Sequence, residues 1–185
     1  EEEGISLYIH LPYCESLCTY CGCNKRITTN HAVEIPYISS VMKEWDSYTA
    51  LLPEKPKLSG IHLGGGTPTF FSAESLKILI RHIKCKMEVL PHAEFSFEGH
   101  PNNTTREHLE ALYEVGFTRV SFGIQDFDLE VQKAIHRIQP FEKVAEVTQT
   151  AREIGYDSIN FDLIYGLPHQ TLATIENTFE RVNEL

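Results

Sequence analysis

Five times along the chain a strand-like segment is followed by a helix-like segment, and this repetition constrains the fold most strongly. Repeated strand–helix units form parallel sheets with right-handed crossovers. We therefore predict an α/β fold of five parallel βα units, closed by a helix over residues 171–185. The predicted strands span residues 5–11, 60–64, 94–98, 119–125 and 158–164.

Local signals mark where several helices begin and end. Pro36 suits the first turn of a helix, because proline lacks the N–H that a first turn leaves unpaired. The sequence Thr-Thr-Arg-Glu at residues 104–107 is typical of a capping box, in which Thr104 and Glu107 close the helix start. Gly116 and Gly155 stand where two helices are expected to stop.

Each predicted strand has one apolar face and one polar or small face, since side chains alternate along a strand. Parallel strands covered on both faces are instead continuous hydrophobic runs. The polar faces therefore line either the lumen of a curved partial barrel or the solvated side of an open sheet. Polar residues concentrate at the carboxyl ends of the strands, where α/β proteins bind ligands, which favours a partial (βα) barrel with a site.

The composition fits one globular domain that does not bind nucleic acid. The chain has 185 residues, 42% of them hydrophobic, which is enough to form a core. Its 16 Lys and Arg against 26 Asp and Glu give a net charge of −10, whereas nucleic-acid binding needs a basic surface. No apolar run is long enough for a membrane span, and no signal peptide opens the chain; the acidic start, Glu1 to Gly4, suggests trimming.

Four cysteines follow the first strand within ten residues, and a fifth, Cys85, stands alone on a predicted helix. A structural zinc site usually joins two ligand pairs from separate segments, and a redox dithiol needs only two thiols. A single loop suits an iron–sulfur cluster better, because Cys14, Cys18 and Cys21 can hold three corners and leave one iron open. Clustered thiols in a chain with an ordinary core also indicate a reducing compartment, the cytoplasm.

Two further groups of residues at strand ends are candidates for ligand binding. Residues 64–68, Gly-Gly-Gly-Thr-Pro, form either a tight turn or a place where backbone approaches a ligand, and they lack the phosphate-loop pattern. Glu98, Gln125 and Asp162 are either cofactor contacts or structural partners, the acids pairing with an arginine. Arg137 either meets a carboxylate or is an ordinary surface residue.

With Cys-x3-Cys-x2-Cys after its first strand, the chain resembles the radical S-adenosylmethionine (radical SAM) superfamily. Within that superfamily it resembles the oxygen-independent coproporphyrinogen III oxidases, from about Leu7 to the end of the chain. The motifs that carry the resemblance keep their order. They are Tyr8-Ile-His-Leu-Pro-Tyr-Cys14, Cys21-Gly-Cys23-Asn-Lys, Gly64-Gly-Gly-Thr-Pro68-Thr, Gly123-Ile-Gln-Asp-Phe127 and Asp162-Leu-Ile-Tyr-Gly-Leu-Pro168.

The resemblance implies a six-stranded partial (βα) barrel followed by a smaller C-terminal domain. Residues 1–185 would then be the radical SAM core domain, with the sixth strand and the C-terminal domain missing. The resemblance also implies a 4Fe-4S cluster held by Cys14, Cys18 and Cys21, which cleaves S-adenosylmethionine to a 5′-deoxyadenosyl radical. The expected reaction is the oxidative decarboxylation of two propionates of coproporphyrinogen III, giving protoporphyrinogen IX in haem biosynthesis.

The resemblance further implies two S-adenosylmethionine molecules side by side. It assigns catalytic roles to Tyr8 and Cys23; the alternative for Cys23 is a small buried thiol. The implied contacts of the first molecule are Tyr8, Gly65 and Glu98, and those of the second are Tyr20, Gly66, Thr67, Gln125, Arg137 and Asp162.

Two alternatives use the same scaffold. One is a haem chaperone, in which Phe usually stands at the position of Cys23; the other is a haem-degrading or methyl-transferring radical SAM protein. The expected partners of an oxidase are coproporphyrinogen III and an electron donor for the cluster. Lys25, Arg26 and Arg137 are candidate contacts of the substrate carboxylates.

The sequence departs from the family pattern at two places. Glu98 is followed by Gly99 and His100, where Val or Ile and then Asp are expected. Tyr20 replaces a Phe between the second and third cysteines. Both departures leave cofactor binding intact but loosen the assignment to the best-known branch of the oxidases.

Overall fold

The computed structural model describes residues 4–52 and 54–185; Glu1, Glu2, Glu3 and Pro53 lie outside the described residues, and with them the expected acidic start. The strands are β1 (Ile5–Leu11), β2 (Tyr13–Cys14), β3 (Arg26–Ile27), β4 (Lys57–Gly65), β5 (Glu88–Gly99), β6 (Arg119–Gln125) and β7 (Ser158–Leu163). The helices are α1 (Glu34–Thr49), α2 (Ala73–Cys85), α3 (Arg106–Glu114), α4 (Leu129–Ala134), α5 (Phe141–Ile154) and α6 (Leu172–Asn183).

Five strands form one parallel sheet in the order β1-β4-β5-β6-β7, which is also their order along the chain. A doubly wound sheet would reverse its strand order partway and place helices on both faces. Here every right-handed crossover advances in the same direction, so the helices gather on one face, where α1, α2, α3 and α5 pack side by side. The predicted partial (βα) barrel architecture of five parallel units is confirmed.

The apolar face of the sheet is the core. Register places Leu63 between Ile9 of β1 and Phe97 of β5, and Phe97 pairs with Val120 of β6. These four side chains are at most 7% exposed because the helices cover them. The alternation predicted from the sequence is therefore confirmed on this face.

Two strands are longer than predicted. β4 begins at Lys57 rather than residue 60, and β5 begins at Glu88 rather than residue 94. Their early halves pair with each other, but the register shifts between Leu58 and Gly60 and breaks the alternation. The two-residue strands β2 and β3, which bracket the cysteine loop, were too short for any periodic signal.

The helix ends agree with the sequence except at α3. Gly116 and Gly155 follow their helices with φ of 109° and 111°, and Pro36 lies in the first turn of α1. The capping box predicted at residues 104–107 is wrong by one residue, since Thr105 caps α3 with His108 as its partner. Thr104 is instead buried, and its hydroxyl donates to the carbonyl of His100 at 2.9 Å.

A buried carboxylate ties the end of β6 to α6. Asp126 is fully buried and accepts hydrogen bonds from the backbone N–H of Asp128, the amide of Gln170 at 2.6 Å and the hydroxyl of Thr178 at 3.1 Å. Three donors offset the cost of burying this group. Asp126 therefore holds the last helix in place rather than facing the site.

Among residues 4–52 and 54–185, none of the helices combines the length and apolar character that a membrane crossing requires.

Candidate functional site

A cavity of about 340 Å³ lies at the carboxyl ends of the strands. Residues from several strands and from the cysteine loop meet there, as the polar strand ends predicted. Tyr8 is the exception among the predicted site residues, being 58% exposed and stacked on His62 beside the cavity. The predicted residues that line the cavity are Cys14, Cys18, Tyr20, Cys21, Cys23, Gly65, Gly66, Thr67, Glu98, Gln125, Arg137 and Asp162.

Short contacts hold the cysteine loop over the sheet. Cys14 lies in β2, and its thiol is 3.4 Å from the hydroxyl of Thr67, at the end of β4. The backbone N–H of Thr67 donates to the carbonyl of Tyr13 at 2.9 Å. On the far side of the loop, the backbone N–H of Thr19 donates to the carbonyl of Ile135. The loop is therefore attached at its start to the segment after β4 and at its middle to the segment after α4.

Three thiols face the same cavity. Burial raises the pKa of the Cys14 thiol, and the neighbouring Cys21 and Cys18 raise it further. Within residues 4–52 and 54–185, no three Cys, His, Asp or Glu side chains stand close enough to hold a single metal ion. Cys14, Cys18 and Cys21 come from one short loop and line one cavity, and thiolates of this kind are the ligands of a 4Fe-4S cluster.

Cys23 is exposed, which contradicts the alternative of a small buried thiol. A hydrogen bond to Cys21 and the charge of Glu98 both raise the pKa of its thiol, after the larger effect of partial burial. Cys23 therefore lies at the edge of the cavity, between the cysteine loop and the end of β5.

Gly65, the last residue of β4, and Gly66, which follows it, stand where other residues have no room for a Cβ. A Cβ at Gly65, whose φ is 118°, would stand 2.7 Å from the His10 ring, and one at Gly66 would stand 2.6 Å from the backbone of Pro12. On the side where a Cβ would point, both residues pack against protein, although both also line the cavity. The glycines allow the cysteine loop and β4 to pack closely, which sets the cavity wall.

The N–H groups of this segment are already used within the protein. Gly65 donates to Glu98 at 3.3 Å, Gly66 to the carbonyl of Leu11 and Thr67 to that of Tyr13, both at 2.9 Å. A ligand therefore meets mainly acceptor groups here, which suits an ammonium rather than a phosphate or carboxylate.

Within residues 4–52 and 54–185, Glu98 makes its contacts with Gly65 and His62 and not with an arginine, as a structural ion pair would require. Its carboxylate accepts from the N–H of Gly65 and lies 3.5 Å from Nε2 of His62. His62 in turn contacts Ser96 at 2.8 Å and stacks on Tyr8. Half of the Glu98 side chain stays exposed, so one side of the carboxylate remains accessible from the cavity.

Asp162 is held by neutral donors in the same way. Its two oxygens accept from the hydroxyl of Ser121 at 2.8 Å and from the amide of Asn160 at 2.9 Å. Arginine takes no part in these contacts. The carboxylate is thus oriented within the polar face and remains exposed to a ligand.

Gln125 faces the cavity because of a break in the strand. Gly123 pairs with Asp162 but Gln125 pairs with Leu163, so β6 bulges between the two. Gln125 itself has a φ of 68°, which is uncommon for a residue with a side chain. The alternation of side chains along β6 thus predicts that Gln125 faces the cavity, but it does not predict the bulge that turns the side chain there.

Arg137 is a fixed part of the site and not an ordinary surface residue. Its Nη2 donates to the carbonyl of Gly123 at 2.7 Å, and its Nε donates to Gln139 at 3.2 Å. Its Nη1 lies 3.7 Å from the sulfur of Cys18. Gln139 is itself fully buried and bonded to Gln132, so the guanidinium is held rigidly beside the cysteine loop.

Lys25 and Arg26, the other candidate contacts of the substrate carboxylates, differ from Arg137 in their surroundings. Lys25 lines the cavity, but its ammonium donates to the carbonyls of Cys21 at 2.7 Å and Cys23 at 3.4 Å. Arg26 is exposed in β3 and does not line the cavity, and its contact with a substrate carboxylate stays a prediction. Cys85 is exposed at the end of α2 and bonds the carbonyl of His82, far from the other thiols in sequence and site.

Sequence reasoning missed the loop that follows β5. His100, Asn102 and Asn103 line the cavity, together with His136 and Ile138 from the loop that carries Arg137. The sequence departs from the family pattern at Gly99 and His100, but this departure by itself does not indicate that His100 lines the site. Two asparagines directly after a strand end are the signal that could have found this wall.

Comparison with known proteins agrees with this arrangement. The family model for the radical SAM superfamily matches residues 8–182. The chain is 46% identical over 185 residues to the oxygen-independent coproporphyrinogen III oxidase of Helicobacter pylori strain J99, covering 98% of this chain and 40% of that protein. It is 38% identical over 184 residues to the enzyme of the same name from Escherichia coli K12, covering 100% of this chain and 40% of that protein. The chain thus spans about 40% of the length of these curated relatives.

Solved structures show the same fold. The coproporphyrinogen III oxidase of Escherichia coli superposes with a TM-score of 0.93 at 37% identity, over 99% of this chain and 42% of that one. The radical S-adenosylmethionine methyltransferase TsrM of Kitasatospora setae gives a TM-score of 0.64 at 15% identity, over 97% of this chain and 32% of that one. The second likeness concerns the fold alone. With a family match over nearly its whole length, the chain belongs to the radical SAM superfamily.

Proposed function

We propose that the full-length protein is an oxygen-independent coproporphyrinogen III oxidase, which converts two propionates of its substrate to vinyl groups in haem biosynthesis. The observation that carries the proposal is the cavity where the three-cysteine loop meets the glycine segment and the strand-end carboxylates. Curated relatives that cover nearly all of this chain bear that name. Residues 1–185 form the core domain of this enzyme in the proposal.

Superfamily membership implies a 4Fe-4S cluster and S-adenosylmethionine. Cys14, Cys18 and Cys21 would hold the cluster, since all three face the cavity from one loop. When bound, the two groups supply a 5′-deoxyadenosyl radical that can abstract hydrogen from a propionate side chain.

The polar wall would bind and orient S-adenosylmethionine. The acceptor-rich segment of Gly65, Gly66 and Thr67 suits its ammonium group, with Glu98 beside it. Asp162 and Gln125 are oriented to bond ribose hydroxyls or amino groups. One cavity is lined by all of these residues. This supports their proposed roles and the proposal that a second S-adenosylmethionine binds beside the first.

Two residues at the cavity edge are assigned to the chemistry in this proposal. Tyr8 and Cys23 both lie close to Glu98, whose charge raises the pKa of each after the effect of partial burial. Both groups therefore keep their protons near neutral pH. Each could donate a proton or a hydrogen atom to a group bound between β1 and the cysteine loop.

The proposed partners are coproporphyrinogen III and an electron donor for the cluster, and the proposed location is the cytoplasm. The five cysteines are free thiols, which a reducing compartment maintains. The chain has a net charge of −10, which repels an anionic substrate. The positive charges of Lys25 and Arg137, which line the cavity, would have to attract the substrate locally.

The test is anaerobic turnover by the full-length protein with a reconstituted cluster, S-adenosylmethionine, a reductant and coproporphyrinogen III. We expect 5′-deoxyadenosine together with protoporphyrinogen IX, identified by mass. Formation of 5′-deoxyadenosine with the porphyrinogen unchanged would reject the substrate but keep the enzyme class. Transfer of bound haem to an acceptor protein, without porphyrinogen turnover, would favour the haem chaperone.

A further inference from the structure

His100 occupies the cavity wall in one defined orientation. Its Nδ1 accepts the backbone N–H of Asn102 at 3.2 Å, which assigns the ring proton to Nε2. Among residues 4–52 and 54–185, no hydrogen bond joins Nε2 to another residue. Because His100 lines the cavity, its N–H donor is available to a ligand bound there.

The ring is a neutral donor near neutral pH. Burial, and then the charge of Arg137, lower the pKa of His100 to about 3. His100 and Arg137 line the same cavity. A neutral N–H adds direction to a binding site without adding a second charge next to the arginine.

Asn102 couples the two groups mechanically. Its backbone N–H holds the ring of His100, while its side-chain amide donates to the carbonyl of Ile138 at 2.8 Å. Ile138 directly follows Arg137 in the chain. The loop after β5 and the loop after α4 are therefore joined, so that His100 and Arg137 keep a fixed relation.

Among the residues that the structure describes, no carboxylate contacts the guanidinium of Arg137. Its three nitrogens meet the carbonyl of Gly123, the side chain of Gln139 and the sulfur of Cys18. A rigid, half-buried guanidinium beside an unused N–H is suited to a ligand carboxylate, which accepts from both.

We propose that His100 is a further ligand-binding residue, whose Nε2–H and the guanidinium of Arg137 together hold a carboxylate of a bound ligand. This inference rests on the proposed function, because both S-adenosylmethionine and the porphyrinogen carry carboxylates. The carboxylate belongs either to the methionine part of S-adenosylmethionine or to a propionate. His100 thereby fixes the position of the ligand relative to the cysteine loop.

The test compares His100→Leu and His100→Gln in the full-length protein with a reconstituted cluster. Leu removes the donor, whereas Gln keeps a neutral N–H. We expect the KM of the affected ligand to rise about 10-fold or more for Leu and less than threefold for Gln. The kcat should change less than KM, because the contact is made with bound ligand throughout.

The two carboxylate sources are separated by measuring each ligand by itself. Binding of S-adenosylmethionine is followed by equilibrium dialysis and by its effect on the electron paramagnetic resonance signal of the reduced cluster. Weaker S-adenosylmethionine binding assigns the methionine carboxylate; a raised KM for coproporphyrinogen III alone assigns a propionate. If the wild-type protein does not decarboxylate the porphyrinogen, the proposed function fails while the dialysis still tests His100.

His92→Leu is the matched control, since His92 is exposed on the early half of β5 and lies outside the cavity. Iron and sulfide content must equal those of wild type in every variant compared. If His100→Leu, with a full cluster, binds S-adenosylmethionine and porphyrinogen as wild type does, the proposed carboxylate contact is wrong. An equal loss in Leu and Gln would also reject it, because Gln retains the donor.

Discussion

The two faces of the five-stranded sheet differ although the same strands build both. On the helix-covered face Phe97 and Leu63 are completely buried, whereas on the other face the adjacent Glu98 and His62 keep nearly half of their side chains exposed. Neighbouring residues in one strand thus serve two purposes. The apolar face supplies the free energy of folding, and the polar face arranges groups that bind ligands, so substitutions on the two faces should separate stability from function.

The largest effect is expected at the cysteine loop. Cys14→Ser, Cys18→Ser or Cys21→Ser should abolish the iron–sulfur cluster, because three thiolates hold it in the proposal. The measurement is iron and sulfide content with the visible absorption spectrum after anaerobic reconstitution. Cys23→Ser and Cys85→Ser should retain the cluster. Loss of iron on changing Cys23 would overturn the three-ligand assignment.

A matched pair in β5 compares the faces directly. Phe97→Ala should lower the free energy of unfolding by about 3–5 kcal/mol, because a fully buried ring leaves a cavity. Ser96→Ala, one residue earlier, should cost about 1 kcal/mol, since it loses a single hydrogen bond to His62. Urea denaturation of the full-length apoprotein gives both values. Equal losses would show that the polar face also carries the fold.

Asp126 is expected to be an exception to the division between a stabilising apolar face and a ligand-binding polar face, because it is a polar residue that stabilises the fold. Asp126→Ala should cost about 2–3 kcal/mol by leaving the amide of Gln170 and the hydroxyl of Thr178 without their acceptor. The same denaturation experiment measures this loss. Asp128→Ala is the control, since it removes the partly buried N-cap of α4, and it should cost about 1 kcal/mol. A loss at Asp126 no larger than at Asp128 would contradict the role of the buried carboxylate.

The smallest expected effect concerns pH. Burial and the neighbouring Arg137 lower the pKa of His100 from 6.5 to about 3, so between these values the unfolded chain binds a proton that the folded chain refuses. Stability should therefore fall as pH falls below 6.5, by at most about 1.4 kcal/mol per pH unit from this group. Comparing urea midpoints of wild type and His100→Gln from pH 7 to pH 5 measures the difference. The slope should be shallower in the variant, and unchanged in His92→Gln; identical slopes would reject the assignment.

Much of the site could be predicted because strand ends and loops are local in the sequence. Cys14, Cys18 and Cys21 share one short loop, and Glu98 and Asp162 occupy alternating positions whose face the apolar residues already define. Strands of a parallel sheet all run in the same direction, so their carboxyl ends lie at the same edge. Placement of these residues around one cavity therefore followed from periodicity and spacing, together with the family resemblance.

The missed features depend on contacts between distant segments. The bulge that turns Gln125 into the cavity needs β7 beside it, and the early half of β5 needs β4 for its pairing. The loop containing His100 belongs to the site only because Asn102 bonds Ile138, 36 residues later. Arg26 is close to the cysteines in sequence but does not line the cavity.

The sequence by itself determined the βα order, the two unlike faces and the family, because these are carried by local periodicity and by short motifs with fixed spacing. Only the tertiary structure decided why the glycines after β4 are required, which cation faces the cavity and that His100 presents a neutral N–H. Those properties arise where separate loops pack against one another, and burial and neighbouring charge, not residue type, then set the chemistry.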